Sequence, residues 1–177
     1  MAISSIVKTR RDGTLTISDA AGAHTLTVAF EAGDFSLSVP GPTVNNFLDR
    51  GEIGAAPSLR YGDDAPMTGS FTAQLRDLSD ASYITLESII LNSGYFASTW
   101  VSTNSNTDGD SGTAYTTTST KLKTVTLLWT IEGTNRGDSS DHTISLPFCV
   151  LTGSLSEGDP NSISISFTSY APWPSVT

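Results

Sequence analysis

Apolar and polar residues alternate along most of this chain, which is the pattern of β-strands with one buried face. In the run GTLTIS the apolar positions are Leu15 and Ile17, and in SFTAQL they are Phe71, Ala73 and Leu75. Segments rich in glycine, aspartate and proline separate such runs. The alternation predicts a mainly β fold, a sandwich or barrel of about eight strands.

The period changes in the run SDASYITLESIILNSG. Tyr83, Leu86 and Ile90 are spaced like the buried face of a helix, and Gly94 stands where a C-terminal cap belongs. This spacing predicts one flanking α-helix over 81–92, the only helix of the chain. The run YFASTWVST that follows it is interpreted as a further strand.

Two segments interrupt the alternation. Residues 41–66 hold prolines, glycines and charges in quick succession and are predicted to form a long loop, a feature that is usually functional. Large apolar residues occur within this segment, and we expect another surface to cover them; they are Phe47, Leu48, Ile53, Leu59 and Tyr61. Residues 102–120 are predicted to be a flexible, solvated loop. With these two loops, residues 1–177 are interpreted as a single domain.

Hydroxyl groups, and not ions, fill the polar positions. Serine and threonine account for 51 of the 177 residues, and 15% of the residues are charged against an average of about 25%. The formal net charge is −9. Because binding to nucleic acid phosphates needs clustered lysine and arginine, this balance argues against a nucleic-acid-binding protein.

Cysteine usage and targeting signals indicate where the chain folds. The single cysteine, Cys149, lies in the apolar run SLPFCVL, and we expect it to be a buried core residue. One thiol without a disulfide partner is typical of a reducing compartment. We see neither a secretion signal nor an apolar run of about 18 residues, which predicts folding in the cytoplasm and no membrane-spanning helix.

Candidate catalytic chemistry is sparse. The run GDSG around Ser111 is similar to the nucleophile motif of trypsin-like proteases, and the order of His24, the Asp63–Asp64 pair and Ser111 matches that triad. However, the residues around His24 and Ser111 do not continue the protease pattern, and a flexible loop does not hold a nucleophile precisely. We therefore expect no catalytic residue.

A metal site is equally poorly supported by the sequence. Residues 104–109, NSNTDG, have the oxygen spacing of a calcium loop, but Tyr115 stands where the bidentate glutamate belongs. His24 and His142 have no neighbouring histidine or cysteine with which to form a site of three or four ligands. We expect no metal and no cofactor.

A binding module is an alternative to a structural role. Trp100 or Trp173, together with polar loops, would form the sugar site of a carbohydrate- or receptor-binding β-sandwich, such as a lectin-like or tail-tip module. Trp129 alternates with Val125 and Leu127 and is therefore predicted to belong to the core.

Two motifs carry a resemblance to a known family. An acidic turn leads into GDDAPMTGSFTAQLRDL at about residues 62–78, a helix follows, and LSEGDPNSISISF lies near the end at about residues 155–167. In these motifs and in its order of elements, the chain resembles the tail tube (major tail) proteins of long-tailed, siphovirus-like bacteriophages.

This resemblance implies a fold, an assembly and partners. The fold is a β-sandwich-like barrel with a flanking helix, six subunits form a ring, and rings stack into a hollow tube through which DNA passes, without specific binding, during genome ejection. The sheets of the six subunits join into one inner barrel. The implied partners are other copies of the chain and the tape measure, terminator and tail tip proteins. The implied location is the virion tail, after assembly in the host cytoplasm.

The resemblance also assigns roles to surfaces. A long loop after the early strands reaches a neighbouring subunit or ring, and the residues expected at such contacts are Phe47, Leu48, Arg50, Arg60 and Tyr61. A hydroxyl-rich strand face suits a channel that must be wet without gripping DNA. Six copies at −9 each carry −54 formal charges, which would repel phosphate. The loop 102–120 would face the exterior of the tube.

Overall fold

The computed structural model shows a mainly β fold, as predicted. The residues that it describes are 13–19, 22–28, 34–47, 58–75, 82–100, 123–134, 137, 139–171 and 173–177. The strands are Gly13–Ser18 (β1), Thr25–Val28 (β2), Ser36–Ser38 (β3), Val44–Phe47 (β4), Ser58–Tyr61 (β5), Met67–Gln74 (β6), Val125–Ile131 (β7), His142–Ser156 (β8), Ser162–Ser169 (β9) and Ser175–Val176 (β10). The helices are Leu86–Ile90 (α1) and Gly94–Thr99 (α2).

Eight of these strands form one antiparallel sheet in the order β2-β1-β7-β8-β9-β6-β3, with β10 paired beside β8. Strand β8 is 15 residues long and belongs to both halves of this sheet. Its first half pairs with β7 and β10, and its second half pairs with β9. The sheet therefore has two halves that share a single continuous strand.

The two halves meet at a bend in β8. Pro147 has no N–H to donate there, and Phe148 takes a φ of 57°. The register with β7 shifts at the same place, between Val125 and Leu127. Such a bulge bends a strand and allows it to pass from one packed layer to the next.

The core lies between the two halves of the sheet. Leu15, Ile17 and Leu127 come from one half, and Phe71 and Ile165 come from the other; each is at most 2% exposed. These are the inward positions of the alternating runs, so the predicted apolar face of β1 and of β6 is confirmed.

An aromatic cluster closes the core near β3. The ring of Phe35 lies 4.9 Å from that of Trp129 and 5.6 Å from that of Phe167, measured between centroids. Because Trp129 is on β7 and Phe167 is on β9, Phe35 connects the two halves of the sheet. The predicted core position of Trp129 is confirmed, although its side chain is only partly buried.

The helical region differs from the prediction of a single helix over 81–92. Thr85 caps α1 in a capping box with Ser88. The backbone N–H of each of these two residues donates a hydrogen bond to the side-chain hydroxyl of the other. Asn92 then takes a φ of 47°, the left-handed conformation that ends helices. The predicted strand after it was wrong, because residues 94–99 form α2, which buries Phe96 and Ala97.

Two strands lie within the predicted loop 41–66, and a third short strand lies in the C-terminal tail. The segment 41–66 contains β4 and β5, which pair with each other as a separate two-stranded sheet. The proline-rich tail contains β10, which pairs with Ile144 and Ser145 of β8. All three strands are four residues or shorter, so they offer little alternation to detect.

Candidate functional site

The outward surface of β3, β6, β9 and the second half of β8 consists almost wholly of small hydroxyl side chains, and we call it the hydroxyl face. Their inward neighbours are the buried core residues, so strand alternation sends the polar residues to the opposite side. The residues of the hydroxyl face are Ser36, Ser38, Thr68, Ser70, Thr72, Gln74, Val150, Thr152, Ser154, Ser156, Ser162, Ser164, Ser166 and Thr168.

The register of the strands aligns these hydroxyls in rows across the sheet. Ser36 pairs with Ser70, Ser70 pairs with Ser166, and Ser166 pairs with Thr152. The hydroxyls of Ser36 and Ser70 lie 2.9 Å apart, within hydrogen-bond distance. The Thr152 hydroxyl donates to the Ser166 carbonyl at 3.3 Å. These contacts hold the polar side chains against the sheet.

No strand position of the hydroxyl face carries a charged side chain. Carboxylates lie instead at the ends of its strands. Asp63 and Asp64 precede β6, and Glu157 and Asp159 lie in the turn between β8 and β9; all four are exposed. The acidic character expected of this surface is therefore located at its borders, while the surface itself is polar and uncharged.

The half of the sheet that carries the hydroxyl face has two open edges among the described residues. Strand β3 pairs only with β6, and residues 150–156 of β8 pair only with β9. Unpaired strand edges present rows of N–H and C=O groups to which another strand can bond. This surface is therefore suited to lateral extension by further strands.

The second exposed surface is the β4–β5 hairpin. Val44 pairs with Tyr61, which places both side chains on one face together with Leu59. The exposed fractions of Val44, Leu59 and Tyr61 are 54%, 68% and 75%. We call these three side chains the apolar hairpin face. Arg60 lies on the opposite face, with Asn45 as its pairing partner.

The predicted contact residues fall partly on this hairpin. Arg60 and Tyr61 are exposed on β5, and Phe47 is the last residue of β4, where it pairs with Ser58. Leu48 and Arg50 lie outside the described residues. The sequence did not single out Val44 as a contact residue, although its pairing with Tyr61 places it on the apolar hairpin face.

The protease-like triad lies only partly within the described residues. His24 lies at the turn between β1 and β2, where its ring stands edge-on to that of Tyr95 with centroids 5.5 Å apart. Its backbone N–H donates to the Asp19 carboxylate at 3.3 Å. Ser111, like the calcium-like run 104–109, lies outside the described residues.

The described residues contain no group of three or more histidine, cysteine, aspartate or glutamate side chains placed to hold a metal ion. Within the same residues, none of the helices has the length and apolar composition needed to cross a bilayer.

The tryptophans of the alternative sugar site differ in accessibility. Trp100 is fully buried, and its indole N–H donates to the Thr124 carbonyl at 3.0 Å. Trp100 is therefore a core residue and presents no face to a sugar ring. Trp173 is 52% exposed.

Two titratable groups near the core have shifted pKa values. Burial raises the pKa of the Cys149 thiol to about 11, against smaller opposing effects of hydrogen bonds from Ser169 and Leu127. The predicted buried position of Cys149 is confirmed. Burial lowers the pKa of Lys123 to about 8, and its ammonium donates to the Ala97 carbonyl at 2.8 Å.

No protein-family model and no curated protein matches this chain. Among solved structures, it is similar to a chain in the six-fold symmetrised cryo-EM structure of the anti-feeding prophage baseplate. The TM-score is 0.49 with 8% identity, over 100% of this chain and 97% of that chain.

Proposed function

We propose that this protein is a structural subunit of a phage tail, which assembles as six-membered rings stacked into a hollow tube for DNA. The observation that carries the proposal is the hydroxyl face on a four-stranded sheet with two open edges. The sequence motifs at about residues 62–78 and 155–167 point to the same class of protein. The hydroxyl face forms the wall of the channel.

The chemistry of this face fits a channel wall. A lumen through which DNA moves must stay hydrated, and cations on its surface would retain phosphate groups. Serine and threonine hydroxyls hold water without charge. The nearby carboxylates Asp63, Asp64, Glu157 and Asp159 add repulsion toward phosphate at the borders of the face.

The strand order also fits a closed ring. Neighbouring strands of this half are antiparallel, so β8 and β3, at its two edges, run in opposite directions. When copies are related by rotation about the tube axis, β3 of one copy meets β8 of the next in antiparallel orientation. The backbone N–H and C=O groups that a single copy leaves unpaired at these two edges then form hydrogen bonds with the neighbouring copies around the ring.

The size of such a barrel is adequate for DNA. Six copies of a four-stranded sheet contribute roughly 24 strands, and at roughly 4.8 Å per strand their circumference is roughly 115 Å. The corresponding backbone diameter is roughly 37 Å, and strand tilt increases it. Side chains as small as serine and threonine take little of this width, which leaves room for one DNA duplex.

The proposal is tested by negative-stain electron microscopy of concentrated protein, with a β8 edge variant as comparison. We expect hollow rings or tubes of constant diameter. Leu155→Pro removes a backbone donor that points outward from the open half of β8, without removing a bond to β9, and should reduce assembly, whereas Leu155→Val retains it. Particles without a central channel, or a chain that binds glycans and forms no tubes under any assembly condition, would overturn the proposal.

A further inference from the structure

The apolar hairpin face has no cover among the described residues of its own copy. Val44, Leu59 and Tyr61 are all more than half exposed, and the hairpin belongs to a sheet separate from the main one. A lone two-stranded hairpin is marginally stable in water, and contiguous exposed apolar side chains usually mark an interaction site. The hairpin therefore needs a receiving surface on another molecule.

A groove beside β2 has the matching properties. A cavity of about 320 Å³ lies between β2, the end of β6 and the start of α1. Leu26, Val28, Ala73, Ile84 and Leu86 supply its apolar lining. Strand β2 is the end strand of the main sheet, so its outer edge pairs with no described strand.

The backbone of β2 presents hydrogen-bonding groups to this groove. The Asp19 N–H donates to the His24 carbonyl, which makes this pair the first hydrogen-bonded pair of the β1–β2 ladder. Bonded and non-bonded pairs alternate in an antiparallel ladder, so the N–H and C=O groups of Thr25 and Thr27 point away from β1. An added strand would bond to these groups.

Strands β5 and β2 share the same alternation of polar and apolar residues. Both strands are four residues long. On β2, Leu26 and Val28 face inward while Thr25 and Thr27 are exposed. A β5 strand laid beside β2 would place Leu59 and Tyr61 on the apolar side, over the cavity, and Arg60 on the polar side.

Charge favours the same docking. Arg60 is the single charged residue within β4 and β5, and it is positive. The receiving copy has a formal net charge of −9. A cationic hairpin strand is attracted to such a surface.

We propose that β5 of one copy adds to the outer edge of β2 of a second copy, with Leu59 and Tyr61 covering the cavity between β2 and α1. This is β-strand addition, in which backbone bonds supply affinity and side-chain pockets supply specificity. The inference rests on the proposed function, because it gives the partner of the hairpin within the assembly.

The test places a photo-crosslinking residue on the hairpin. Tyr61 is replaced by p-benzoylphenylalanine in the full chain, and assembled protein is irradiated and digested for mass spectrometry. Mixing ¹⁵N-labelled and unlabelled copies distinguishes links between copies from links within one copy. We expect mixed-isotope links to peptides that contain residues 25–28 or 83–87. The same residue at Ser164, on the hydroxyl face, should give no link to those peptides.

A backbone variant sharpens this test. Thr27→Pro removes an outward N–H without removing a bond to β1, whereas Thr27→Val keeps it. We expect Thr27→Pro to reduce the yield of the Tyr61 cross-link by at least tenfold while Thr27→Val leaves it unchanged. Tubes whose Tyr61 cross-links fall on other surfaces would overturn this inference and leave the proposed function standing. Failure of the wild-type chain to form tubes would instead count against the proposed function.

Discussion

The hydroxyl face and the β4–β5 hairpin are both exposed, yet their side chains differ in kind. The hydroxyl face presents serines and threonines from four strands over a buried core that includes Ile163 and Ile165. The hairpin presents Val44, Leu59 and Tyr61, and the part of the chain that the structure describes places no core beneath them. Covering the hydroxyl face would remove water from many hydroxyl groups, whereas covering the hairpin would remove water from apolar surface.

This difference assigns the two surfaces to opposite roles. A surface that gains little from contact is suited to face solvent permanently, as a channel wall does. A surface that gains from contact is suited to join copies. The predictions below separate these roles by their effects on the stability of one copy and on assembly.

The largest effect is expected inside the sheet that carries the hydroxyl face. A Cβ at Gly69 would collide with the Ser36 carbonyl and with the Phe167 ring. Because one of these groups is backbone, relief requires the strands to move, and we expect Gly69→Ala to lower the free energy of unfolding by about 3 kcal/mol. Chemical denaturation measures this value. Gly41→Ala, where a Cβ meets nothing within 4 Å, is the matched control and should change it little.

Substitutions in the hairpin should reduce assembly and leave the stability of the single folded copy nearly unchanged. Leu59→Ser with Tyr61→Ser removes most of the apolar hairpin face, and we expect tube formation to be lost while the free energy of unfolding changes by less than about 0.5 kcal/mol. Electron microscopy and denaturation of the same preparation check both parts. Asn45→Ser, on the opposite face, is the control. Tubes that form normally from the double variant would remove the hairpin from the assembly.

A positive charge placed on the hydroxyl face should increase the amount of DNA that the tube retains. Ser166→Lys places a cation in the middle of this face, and we expect tubes that retain short DNA duplexes, with retention falling as salt rises. Co-sedimentation at several salt concentrations measures it, and Ser166→Gln tests for size alone. Equal DNA retention by both variants would contradict a lumenal position for this face.

The smallest effect concerns Cys149, which reports on the core behind the hydroxyl face. Burial raises the pKa of its thiol to about 11, above the value of about 8.5 for a free cysteine. The folded state therefore favours the thiol, and this contribution to stability is complete below about pH 8.5 and is lost as the pH rises through about 11.

The reactivity of Cys149 can be followed with a thiol reagent at pH 8. We expect slow labelling in the wild type and in the hairpin variant, and faster labelling in Gly69→Ala because its sheet opens more often. Equal acceleration in the hairpin variant would show that the hairpin supports the core, contrary to the separation of roles drawn above.

Alternation made the central strands and the hydroxyl face predictable from sequence. In β6 every second residue is apolar or glycine, and in β9 every second residue as far as Phe167 is apolar, so both the core and its polar opposite face follow from the sequence. The helices were harder, because the Thr85–Ser88 capping box and the left-handed Asn92 divide a continuous helical pattern. The hairpin was missed because Val44 and Tyr61 are distant in sequence and become neighbours only through pairing.

The central claim is that the hydroxyl face lines a channel, and a cryo-EM reconstruction of the assembled protein tests it most directly. The account predicts six copies per ring, with β8, β9, β6 and β3 of each copy forming the inner wall and Ser70 and Ser166 facing the lumen. A reconstruction in which these serines are buried between copies, or lie on the outer surface around a lumen lined by other strands, would contradict it.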